Sequence, residues 1–144
     1  MQTTTPAVPS SRLTDVTLWI ATALLALPLL AAGLSKLLGQ GGWIPMFAHW
    51  GYPAWLIPVV GIAEVLGVAL LLVPRFASAG AAMIAIVMAG AALTHATHNE
   101  APRVVFTCIL FGLASLMTWA RLARFRAPVA VRFARRARRT PAQL

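Results

Sequence analysis

Charge is scarce in this chain, and negative charge is scarcest. Only 10% of the 144 residues are charged, and just three of them are acidic: Asp15, Glu64 and Glu100. The composition is 60% hydrophobic with a mean hydropathy of +0.80. That excludes an ordinary soluble globular domain. Cysteine is nearly missing, since Cys108 stands alone. A disulfide framework and a CxxC motif are therefore absent, and dithiol chemistry within this single chain is excluded. No alternating, turn-punctuated pattern suggests a membrane barrel.

What the chain has is long apolar runs. Four stand out, Leu18–Leu38, Trp55–Val73, Phe76–Leu93 and Val104–Ala120. Each is about 17–21 residues, long enough to cross a bilayer as a helix. The expected fold is an all-α membrane protein, a four-transmembrane-helix antiparallel bundle. Residues 1–15 read as a disordered leader to it, 16–120 as the membrane domain and 121–144 as a basic tail. The first run exceeds a typical signal-peptide core of about 7–15 residues, and its flank Met1–Ser11 is uncharged, so it reads as a span. Thr14 or Asp15 is a candidate cap for the first helix, and Pro28 a candidate kink.

The basic residues set an orientation. With both termini on one side, that side holds Arg12, Arg75 and eight arginines from Arg121 to Arg139, while the other holds only Lys36 and Arg103. The positive-inside rule then makes both termini cytoplasmic, and a bacterial plasma membrane is the expected location. The arginine segment reads as a binder of anionic lipid at the membrane surface. Because the membrane explains the charge, no nucleic-acid partner is assigned. In the long loop Gly39–Pro53, Trp43, Phe47 and Trp50 follow i, i+4, i+7 spacing, which predicts a short helix over the bundle mouth or in the interface.

Glu64 is the most unusual residue. Every other residue of Trp55–Val73 is apolar, glycine or proline. A carboxylate in hydrocarbon costs about 2.5–3.5 kcal/mol on insertion scales and is functional by default. Gly61 and Gly67 flank it at three residues on either side, as Gly33 and Gly39 flank Lys36. Both charges thus project from grooves of small residues that a neighbouring helix or a ligand can enter. Glu64 lies about 13 Å from the start of its span. Lys36 reaches it only by turning inward, against its tendency to snorkel, so a bridging water, histidine or ligand is as plausible as a direct pair. The bland alternatives are an interface anchor for Lys36 and a register-setting partner for Glu64.

His95 and His98 follow the end of the third span, with Met88 and Ala91 on the face of His95. These histidines fit a proton relay, a metal site, or a binder of an anion or quinone head group. No tightly spaced ligand set accompanies them, so no metal is assigned. His98 and His49 also read as loop histidines bonded to backbone. The candidate set is Glu64 and His95 as catalytic residues, with Lys36, Gly33, Gly61, Gly67, Met88 and His98 binding ligand.

Gly33…Lys36, Phe47, Gly51-Tyr52-Pro53, Glu64-x-x-Gly67, Pro74-Arg75 and His95 together resemble the DoxX-like family of small four-helix membrane proteins. The resemblance covers about Val16–Ala120. It implies a link to quinone-coupled redox complexes, or an accessory role, and carries over no catalytic residue. Three functions follow as expectations. The first is a redox accessory binding quinone or another lipophilic carrier, with Glu64 moving a proton, His95 bonding the carbonyl and Lys36 stabilising the reduced head group. The second is an intramembrane isomerase or cyclase with Glu64 as general acid. The third is a scaffold subunit. A membrane redox partner or a homo-oligomer would complete the first or third.

Overall fold

Two glycines and one asparagine decide where three of the helices stop. The computed structural model describes the backbone of residues 12–137 and the side chains of 16–122. Its order is α1 (Arg12–Leu37), α2 (Trp43–His49), α3 (Leu56–Leu72), α4 (Ala77–Thr97) and α5 (Ala101–Ala137), and no strand occurs among the described residues. Gly39, at φ 67°, ends α1, with Gly39 N–H bonded to Lys36 O and Gln40 N–H to Ser35 O. Gly51, at φ 74°, ends α2 by the same pair of bonds, to Ala48 O and from Tyr52 to Phe47 O. Asn99, at φ 58°, ends α4, with Glu100 N–H on His95 O. Each is the double reversal that a left-handed residue permits, and asparagine is the side chain that tolerates it best after glycine.

The predicted helix over the loop is α2. Its spacing places Phe47 inward, 5% exposed, against the rings of Trp43, Trp50 and Tyr52. Thr14 and Asp15 lie inside α1, not at its cap, since the helix begins at Arg12. The helix continues through Pro28. At the other reversal α4 runs to Thr97, so His95 is a helical residue. α5 starts at Ala101, three residues earlier than expected, with Pro102 in the first turn, where its missing N–H is harmless. It then runs on to Ala137, so the segment expected as a separate tail begins as a continuation of the helix. Residues 1–11 and 138–144 lie outside the described residues.

α1 packs on α3, α3 on α4 and α4 on α5; α1 also meets α5, and α2 rests on α3. Gly33 and Gly61 make the α1–α3 crossing. A Cβ on Gly61 would sit 3.0 Å from Gly33 O. Gly80 lets α4 press on the α3 backbone, where a Cβ would strike Leu71 N and Gly67 O. Leu25, Leu29, Val68, Leu71, Ala81, Ile84, Ala114 and Met117 fill the centre, each at most 2% exposed. The outer faces are apolar too: Leu24, Leu27, Ile62, Ile86, Ile109 and Trp119 all stand more than half exposed. A continuous apolar exterior is wrong for water and right for lipid. α1 from Val16, α4 and α5 to Leu122 are long and apolar enough to span a membrane, while α3 is a shorter apolar helix of 17 residues.

Candidate functional site

The two intramembrane charges meet directly. Lys36 Nζ lies 3.0 Å from Glu64 Oε1 and 2.8 Å from Oε2. Both residues are buried, at 6% and 4% exposure. The reason is helix geometry. Side chains lean toward the N-terminus of their own helix. Lys36, in the last turn of α1, therefore leans back into the protein, and Glu64, on the neighbouring α3, leans toward the α2 end. The Gly33–Gly61 crossing brings the two backbones close enough for the pair to close. Neither an interface anchor nor a bridging group is needed to explain Lys36. Trp43 completes its surroundings, with the ring centroid 4.0 Å from Nζ and its own Nε1–H bonded to Ser35 Oγ at 2.8 Å. Two N–H groups of the ammonium go to Glu64, and the third remains for another acceptor.

A second polar cluster is built by the α4 reversal. The left-handed Asn99 folds Glu100 back over His95, five residues earlier. His95 Nδ1 and Glu100 Oε2 are 2.6 Å apart. Glu100 Oε1 takes Arg103 Nη1–H at 2.9 Å and Trp50 Nε1–H at 3.3 Å. Partial desolvation pushes this carboxyl upward. The hydrogen bonds from Arg103, His95 and Trp50 and the Arg103 charge outweigh it and hold it at about 2. Glu100 is therefore a carboxylate, and His95 Nδ1–H donates to it. In the neutral ring Nε2 is then an acceptor. In that form His95 presents a lone pair, not the N–H that bonding to a carbonyl would require.

α2 is tied across the same end. Thr94 Oγ1–H donates to Gly90 O at 2.9 Å, which leaves Tyr52 O–H to donate to Thr94 Oγ1 at 2.8 Å. Trp50 reaches Glu100, and its ring stands edge-on to His95 at 5.1 Å.

Between these clusters lies a cavity of about 600 Å³. That is within the usual range for small-molecule sites, about 300–1,000 Å³. All five helices contribute to its walls, which are mostly aliphatic and aromatic. Lys36, Glu64, Met88 and His95 line it together. Gly33, Gly61 and Gly67 do not: they face neighbouring helices, Gly67 meeting Ile84. His98 also lies off the cavity and bonds Thr94 O at 2.8 Å through Nδ1, with the ring of His49 5.9 Å away. Sequence reasoning placed Glu100 on the same side as the histidines but left it out of the candidate set, and it missed Arg103, Thr94 and the inward face of Trp50. The signal for Glu100 was Asn99, a helix-stopping residue placed so as to return the next side chain onto the last turn. Among the described residues no three His, Cys, Asp or Glu side chains gather as a metal-ligand set.

Long apolar helices surrounding a cavity with ionised walls define a small polytopic membrane protein. The sequence profile of the DoxX-like family matches residues 20–120, and the chain belongs to that family. No curated protein and no solved structure matches it.

Proposed function

We propose that this protein holds a lipophilic molecule of the quinone class in the cavity at its α2 end, as an accessory to membrane redox chemistry. The single observation that carries this reading is the cavity itself. It combines the volume of a small-molecule site, walls suited to a ring and an apolar tail, and Lys36, Glu64 and His95 in one lining. Lys36 would donate its remaining N–H to a head-group oxygen, with Glu64 holding it in place. On this reading α1, α3, α4 and α5 are an antiparallel four-helix bundle of a bacterial plasma membrane. At 17 residues α3 meets the lower end of the spanning range. The basic excess beside the termini supports a cytoplasmic location for both, with the arginines from Arg124 onward at the anionic lipid surface.

The test is titration of the purified protein with a decyl-substituted quinone, read by quenching of tryptophan fluorescence. Saturable binding is expected, weakened about tenfold or more in Glu64→Gln, as one lost charge-assisted bond implies. Wild-type affinity in both Glu64→Gln and Lys36→Gln would sink the reading.

A second reading, acid–base catalysis on a lipophilic substrate, draws on the 2.6 Å contact between His95 and Glu100. An oriented imidazole is a general base. Glu64, with both oxygens on Lys36, is less suited to act as the acid. Conversion of a candidate lipid that survives His95→Phe would exclude this role.

A further inference from the structure

We infer that the cavity selects aromatic head groups that carry a hydroxyl, and that His95 Nε2 is the atom that reads it. The inference rests on the cavity being a ligand site, as proposed above, and adds which form of ligand it takes.

Three observations converge on that nitrogen. First, Nδ1 is spoken for, 2.6 Å from a carboxylate that stays ionised through ordinary pH. Second, Nε2 makes no hydrogen bond with another described residue, yet it is not a buried atom cut off from the space around it. Third, His95 lines the cavity, and its ring is braced edge-on by Trp50. In the neutral ring fixed in this tautomer, Nε2 accepts a hydrogen bond and has none to donate. A ligand hydroxyl satisfies it. A ligand carbonyl or ether oxygen would face a lone pair with its own lone pairs.

The other charged group has the opposite character. Lys36 offers only N–H, and Glu64 takes two of its three. A hydroxyl oxygen accepts as readily as it donates, so a dihydroxy ring can serve both Lys36 and His95. A quinone has acceptors only, and leaves His95 unmatched. Trp43, Phe47, Trp50 and Tyr52 in the lining supply ring faces and edges for an aromatic head group. The cavity therefore favours the reduced, hydroxyl-bearing form of such a molecule over the oxidised form. In this scheme Glu100 is a positioning residue: it touches His95, and its work is to keep the proton on Nδ1.

The experiment uses two probes that differ by one hydrogen-bond donor, para-nonylphenol and its methyl ether, para-nonylanisole. Each is titrated into the purified full chain with tryptophan fluorescence as readout. The phenol is expected to bind about five- to tenfold tighter, the worth of one net hydrogen bond. His95→Phe should abolish that preference, so that the two probes bind alike. Glu100→Gln keeps the ring and frees its tautomer, and should cut the preference to about twofold or less. A merely structural role for Glu100 would weaken both probes alike and leave their ratio unchanged. If the wild-type protein binds both probes equally, the hydroxyl selection is wrong and the cavity reading stands. If Glu100→Gln retains the full preference, the locked tautomer is wrong. If neither probe binds saturably, the ligand site itself fails, and the selection with it.

Discussion

The two ends of this protein pack the same helices in different ways. At the end with the α3–α4 turn, the interior is closed. Leu25, Leu71, Ile84 and Met117 are almost wholly buried, and Gly80 lets α4 rest on the α3 backbone. The α1–α5 seam there is fastened by Arg121 Nη2–H on Thr22 Oγ1 at 3.0 Å. At the α2 end the same helices enclose a cavity, and its walls hold a buried ion pair. Close packing needs no charges, and membrane helices associate through small residues and van der Waals contact. The proposed ligand role therefore predicts an ion pair that folding does not require. Its place beside the cavity supports a part in what the cavity is proposed to do.

The comparison breaks most readily at the pair. Glu64→Leu or Lys36→Met should each lower stability by about 3–5 kcal/mol, because each strands a buried charge. The double substitution Lys36→Met with Glu64→Leu should recover most of that loss, yet abolish ligand binding. Denaturant titration followed by circular dichroism, paired with quinone titration, checks both halves. A double variant as unstable as the singles would mean the pair holds the fold.

Glycine substitutions sharpen the contrast at the next scale. Gly80→Ala should cost about 1–3 kcal/mol by overpacking against the α3 backbone. Gly90→Ala, in the cavity lining with nothing within 4 Å of an added Cβ, should be neutral or gain up to about 1 kcal/mol in helix propensity. Equal effects, measured by the same titration, would erase the difference in packing between the two ends.

The cover over the cavity is held by single polar bonds. Tyr52→Phe removes the bond to Thr94 and should cost about 1 kcal/mol. Hydrogen exchange should then speed up in Trp43–Tyr52 with little change in α3 and α4. Acid should act on the same cover more gently still. Glu100 has a folded value depressed to about 2 from an ordinary 4.5. Its contribution is thus complete above about 4.5 and fades as pH falls toward 2. Fluorescence from the tryptophan indoles should shift across that window, and Glu100→Gln should remove the shift. An unchanged titration in that variant would assign the effect to another group.

Much of this architecture was legible in the residues. Apolar run lengths gave the four main helices, three of them long enough to span and α3 shorter, and the Trp43, Phe47, Trp50 spacing gave α2. The expense of a carboxylate in hydrocarbon pointed to Glu64. Two kinds of information were hidden. Side-chain direction along a helix was overlooked, and it is what turns Lys36 inward to Glu64. The reversal at Asn99 joins residues that periodicity treats as separate loop and helix, so the bond between Glu100 and His95 could not be seen from spacing alone. The glycines flanking both charges were legible as small-residue grooves. Spacing could not say whether a helix or a ligand fills them, and the structure puts helices there.

The most direct test is to map where a ligand sits. A quinone analogue bearing a photoreactive diazirine, crosslinked to the purified protein and located by mass spectrometry, should label Trp43–Tyr52 and the cavity-lining Val87, Met88, Ala91 and His95, with competition by unlabelled analogue. Labelling spread over lipid-facing residues such as Ile20, Leu24 and Trp119, and unaffected by competitor, would contradict a ligand site at the α2 end.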